Sequence, residues 1–203
     1  MSIMPIYLYG TDVLRATAKP VKAMDDSLTK LVVDMFETMH KANGIGLAAT
    51  QVGDLRRVLV IDIMDIEELP EKPEGELTEV AEYGHLTSPH LPRTVAMINP
   101  EIIEEEGAFS MEEGCLSIPD VRADVKRAEK VRVRFRDTSF QEQVLVLDGL
   151  LARVFLHEND HLNGVLFTDR VSTAKKGLLR GKLKKIQNGE VETSYPVVAS
   201  VEA

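Results

Sequence analysis

The chain has 203 residues, 44% of them hydrophobic, enough to bury one core and few enough for a single domain. A formal charge of −9 excludes a generic binder of polyanions. There is no run of about 18 apolar residues and no basic-then-apolar leader, and the lone Cys115 excludes an intramolecular disulfide, so a soluble cytoplasmic protein with no membrane contact is expected.

Residues 25–43, DDSLTKLVVDMFETMHKAN, place Leu28, Leu31, Val32, Met35, Phe36 and Met39 at helical spacing. Asp25, Asp26 or Ser27 can cap that helix, Asn43-Gly44 ends it, and His40 complements the dipole in its last turn. The next stretch, GIGLAATQVG (44–53), completes no phosphate-binding loop pattern. Its small residues let another backbone come close, and Gln51 offers an amide donor. RRVLVID (56–62) and VAMINP (95–100) read as strands. Between them, residues 63–94 hold eight acidic residues and four prolines, the composition of a long solvated insertion, with His85 and His90 on its surface.

KVRVRFRD (130–137) alternates Val131, Val133 and Phe135 with three arginines, and forms a hairpin with QVLVLD (143–148). The helical stretch 148–164, DGLLARVFLHENDHLNG, starts at a candidate N-cap, Asp148, and stops at Asn163-Gly164. A basic stretch over 172–189 reads as a terminal helix, and EVETSYPVVASVEA as a tail. The domain reading is a body over 1–170 with the acidic insertion at about 63–94, a basic helix over 171–188 and a tail over 189–203.

Within the 148–164 helix, His157 and His161 are separated by about 400°, so both imidazoles leave the same face and can bind one ion. Glu158 sits beside them as a proton carrier, and Asp160 is placed to orient the rings. For a third ligand, the metzincin pattern fails because Phe167 stands where its last His would be. A thermolysin-like glutamate would have to be Glu190 or Glu192, in a polar tail. Cys115, in EEGCLSIPD (112–120), is the remaining candidate, and a Cys/His2 set leaves a fourth position for water. Leu150 and Val154 share the His157 face, and with Ile45 and Met111 they can wall an apolar pocket.

Three segments, GIGLAATQ (44–51), EGCLSIP (113–119) and HENDH (157–161), resemble the signature motifs of peptide deformylases in the family's order. VLRATAKPV (13–21) and DGLLARV (148–154) are similar too, so the resemblance covers most of residues 5–170. It implies an α+β fold, with mixed and antiparallel sheets around a central helix carrying H-E-x-x-H, plus a C-terminal helix. It implies removal of the formyl group from N-formyl-methionine on nascent polypeptides by a monomer, with formate as the product.

Carried over by position, Cys115, His157 and His161 are the metal ligands and Glu158 the general acid/base. Gln51 and the Leu116 N–H hold the formyl oxygen, Gly46 pairs with the substrate chain, and Gly44 and Gly114 flank the same groove. The implied ion is Fe2+, with Zn2+, Ni2+ or Co2+ as substitutes; the basic segment 175–185 reads by itself as a solvated helix, and the resemblance raises the alternative of a ribosome contact. Two features depart from the family pattern: Leu156 stands before the first His where many members have Gln, and the acidic insertion is longer than usual. The competing readings are an H-E-x-x-H metallopeptidase and an inert, metal-stabilised, ribosome-associated binding protein.

Overall fold

The structure is a computed structural model that describes residues 2–65 and 91–200. In chain order its elements are β1 (Ile6–Tyr7), α1 (Asp26–Lys41), β2 (Gly46–Ala48), β3 (Val58–Asp62), β4 (Thr94–Glu106), β5 (Phe109–Cys115) and β6 (Ile118–Arg127). They continue with β7 (Lys130–Arg136), β8 (Glu142–Asp148), α2 (Gly149–Leu162), α3 (Phe167–Arg170), α4 (Thr173–Gln187) and β9 (Val197–Val198). The content is mixed α and β.

Five strands form one antiparallel sheet in the order β2-β3-β4-β7-β8; β5 and β6 make a separate hairpin, and β1 pairs with β9 in parallel. The β7–β8 hairpin follows the alternation: Val131, Val133 and Phe135 are buried and Arg132 and Arg134 exposed, with Arg134 paired to Glu101. Helix α1 begins at Asp25, whose carboxylate accepts from Leu28 N–H at 2.7 Å. Its apolar stripe covers one face of β2 and β3 with Met35 and Met39. On the other side lies α2, in which every residue from Leu150 to Leu162 is buried. A third cluster, around Phe167 and Ile186, seats α3 and α4 against β6.

Several local expectations are revised. At the Asn43-Gly44 end of α1 it is Asn43 that takes the left-handed conformation, with φ +54°. A Cβ at Gly44 would lie 2.7 Å from Leu116 Cδ1, so a larger residue there would have to turn the Leu116 side chain. Asp148 occupies the N-cap position of α2 without a side-chain cap bond. His40 sits in the last turn of α1 as expected, and its Nε2 also lies 3.0 Å from Asp62 Oδ2. The strand expected to end at Asn99-Pro100 passes those residues through a bulge and continues to Glu106.

The β5–β6 hairpin was not expected at all. The closing stretch read as a tail carries β9, which pairs with β1 across the molecule. Of the acidic insertion, residues 66–90, with His85 and His90, lie outside the described residues.

Candidate functional site

The burial of α2 puts two imidazoles in the protein interior, where they need partners. His157 and His161 lie one turn apart, with ring centroids separated by 5.0 Å. The tight end of the β5–β6 hairpin, where Cys115 pairs with Ile118, brings the thiol to them. Cys115 Sγ lies 3.2 Å from His161 Nε2, and one donor atom from each of the three residues falls within 4.8 Å of the others. His157 Nδ1 is held by Glu113 Oε2 at 2.9 Å, which fixes the ring and leaves Nε2 for an ion. A thiolate and two imidazoles fit a borderline-soft divalent ion, so these residues could hold one.

A layer of buried charge supports this cluster. Arg127 donates to Glu113 from Nε at 2.6 Å and to Asp160 Oδ2 at 2.7 Å. Arg153 adds a bond to Glu113 Oε1 at 2.9 Å, and Arg170 pairs with Asp160 from the surface side. Burial works against the Glu113 charge, but His157 and Arg127 outweigh it and hold the carboxyl well below the usual range. Burial also opposes charge on His157, yet its bonds to Cys115 and Glu113 push it up. Burial pushes His161 down, helped by the neighbouring His157. The same burial raises Glu158 to about 7, and its Oε2 has no hydrogen-bond partner among the described residues.

A cleft of about 590 Å³ opens onto the cluster. Its walls include Gly44, Ile45, Gly46, Gln51, Met111, Gly114, Cys115, Leu116, Leu150, Val154, His157 and Glu158; His161 lies beneath them, almost fully buried. The thirteen residues that the sequence placed at the metal, the formyl oxygen, the substrate chain and the apolar pocket are therefore in or under one cleft. Gly46 has a steric reason to be glycine, since a Cβ would meet Glu158 Oε1 at 2.5 Å and Val154 Cγ1 at 2.6 Å. Gln51 Oε1 accepts from Ala48 N–H at 2.8 Å, and this turns Nε2 toward Ser117 Oγ at 3.3 Å and Cys115 Sγ at 3.6 Å.

The family model for polypeptide deformylases matches residues 3–177. The chain belongs to the peptide deformylase family. A peptide deformylase of Salinibacter ruber is 48% identical over 197 residues, covering 97% of this chain and 94% of the relative. One from Chlorobaculum parvum is 42% identical over 195 residues, covering 96% of this chain and 94% of the relative. Among solved structures, a peptide deformylase from Legionella pneumophila superposes with a TM-score of 0.75 at 37% identity, over 93% of this chain and 98% of that one. The peptide deformylase of Synechococcus elongatus, solved in complex with actinonin, gives 0.70 at 37% identity, over 96% and 92%.

Sequence reasoning missed Glu113, which holds His157 in this deformylase framework, and Arg127 and Arg153, which hold Glu113. The available signal was Glu113 itself, a charged residue two before Cys115 in a strand. Asp160 was expected to orient an imidazole; it grips Arg127 and Arg170 instead, and reaches His157 only through Arg127 and Glu113. The cleft also takes Glu192, Thr193, Ser194 and Tyr195 from the segment read as a tail.

Proposed function

We propose that the chain removes the formyl group from N-formyl-methionine at the start of newly made polypeptides, with Cys115, His157 and His161 holding Fe2+ and Glu158 carrying the proton. The observation that carries this reading is the meeting, in one cleft, of a three-donor cluster and a buried carboxylate with one oxygen that has no partner among the described residues. A divalent ion bound there would supply Lewis acidity and lower the pKa of a water to near 7. Zn2+, Ni2+ and Co2+ suit the same donors; family resemblance favours iron.

The chain's own groups do the rest. Glu158 takes a proton as water oxygen bonds to the formyl carbon, then delivers it to the nitrogen as the C–N bond breaks, releasing formate and a free amine. Burial favours the protonated form of Glu158, and the positive charge of a bound ion would favour release of that proton. Gln51 Nε2 and the Leu116 N–H hold the formyl oxygen as charge develops on it. Ile45, Met111, Leu150 and Val154 receive the methionine side chain, and the backbone at Gly46 pairs with the substrate chain. Glu190 and Glu192 are not in the metal-competent cluster found among the described residues, which weakens the metallopeptidase reading.

The test is a mass spectrum of formyl-Met-Ala-Ser after incubation with anaerobically purified, iron-loaded protein, with Glu158→Ala as control. Loss of the formyl group alone, absent in the control, supports the reading. Cleavage after Met points to a peptidase, and an intact peptide to an inert binding protein. No described helix is long and apolar enough to cross a membrane. For α4, which buries only Ile186 and exposes most of its lysines, the reading is a contact with ribosomal RNA. Charge reversal at Lys184 and Lys185 should weaken ribosome binding and leave peptide turnover unchanged.

A further inference from the structure

The segment Glu192 to Tyr195 belongs to no recognised motif, yet it forms part of the cleft wall. Its position is set from both sides. Ile6 N–H donates to Pro196 O at 2.9 Å and Leu8 N–H to Val198 O at 2.8 Å, while Thr193 Oγ1 donates to the Tyr195 carbonyl at 2.7 Å. From this strap the Tyr195 hydroxyl donates to the Leu116 carbonyl oxygen at 2.8 Å. The following carbonyl, Ser117 O, accepts from Tyr9 N–H at 2.9 Å, and the Tyr195 ring packs in the same apolar cluster as Leu116.

We propose that Tyr195 is a positioning residue for the reaction: its hydroxyl fixes the Leu116 backbone so that the N–H of that residue stays aimed into the cleft. This deepens the deformylase reading and rests on it, since it takes the Leu116 N–H as a donor to the formyl oxygen. A donor stabilises developing charge only when it is aimed beforehand, and losing one outright costs about 10²–10³ in rate. Removing the phenol oxygen leaves the N–H present but its carrier looser, so the loss falls short of that range.

The experiment compares full-length, iron-loaded wild type, Tyr195→Phe, Thr193→Val and Gln51→Leu on formyl-Met-Ala-Ser, measuring kcat, KM, iron content and melting temperature. The expected result for Tyr195→Phe is a kcat about tenfold lower, between an unchanged rate and the loss of a whole donor. KM and iron content should stay close to wild type, and the melting temperature should fall by no more than about 4 °C. Thr193→Val, which leaves the hydroxyl and loosens only its carrier, should lower kcat by less.

A Tyr195→Phe kcat within twofold of wild type overturns the proposal, as does a loss that falls on KM or follows iron content. If Tyr195→Phe does not fold, Thr193→Val decides by the same criteria. An inactive wild type would instead refute the deformylase reading. A crippled Gln51→Leu beside an unaffected Tyr195→Phe would refute the strap alone.

Discussion

Replacing Gly46 with alanine tests how tightly the cleft is built around Glu158. The new methyl would start 2.5 Å from Glu158 Oε1 and 2.6 Å from Val154 Cγ1, where ordinary contact begins at 3.4 Å. The two obstacles are unequal. Oε1 ends a side chain that can rotate, while Val154 is branched and held on a buried helix, so the carboxylate gives way first. The shortfall is about 0.9 Å, and a displacement near 1 Å at a catalytic group costs about 10²-fold in rate, or about 2.7 kcal/mol of barrier. Overpacking should cost about 1–3 kcal/mol of stability, at the low end because one obstacle is mobile. Deformylation of formyl-Met-Ala-Ser gives the first quantity and urea unfolding the second. Gly46→Ala with activity within threefold of wild type would refute the claim that Gly46 keeps Glu158 in place.

Arg127→Met leaves the buried carboxylates of Glu113 and Asp160 short of a partner. Unfolding in urea should show a loss near the low end of about 3–5 kcal/mol, because Arg153 and Arg170 still reach one carboxylate each; a loss below about 1 kcal/mol would contradict the network's role. Asp169 is held below its ordinary pKa: burial opposes this, but Arg15 prevails. Its contribution is therefore present above the unfolded value, about 3.9, and is lost as pH falls through the folded value. The gap in melting temperature between wild type and Asp169→Asn should be open at pH 7 and close toward pH 3, and a constant gap would exclude this origin. In α4, a Cβ at Gly177 or Gly181 meets nothing within 4 Å among the described residues, so each alanine substitution should stabilise by about 0.5–1 kcal/mol without changing activity. Calorimetry checks the first effect and peptide turnover the second.

The parts of the site that could be read in the sequence are those in which chemistry and geometry share one short segment. His157, Glu158 and His161 lie on a single helical turn, so spacing alone aligns them. Cys115 was found because it is the only thiol, and the β7–β8 hairpin because its apolar residues alternate without interruption. The β5–β6 hairpin alternates as well, through Val121, Ala123 and Val125, but the pattern ends on buried Arg127. An arginine there reads as solvent-facing until Glu113 and Asp160, 14 and 33 residues away, are brought against it. Tyr195 was missed for the same reason: its partner carbonyl lies 79 residues upstream, and nothing near it marks the contact.

The strap also bears on the order in which the molecule assembles and comes apart. β1 and β9 join residues as far apart as Ile6 and Val197 through only two residue pairs. Closing so long a loop has a large entropic cost and few contacts to offset it, so this pairing forms late and opens early. Heating should therefore release the phenol from the Leu116 carbonyl while the sheet around α2 is still intact. On this account inactivation precedes melting, and an enzyme that has lost its activity to mild heat can still be folded through most of its core.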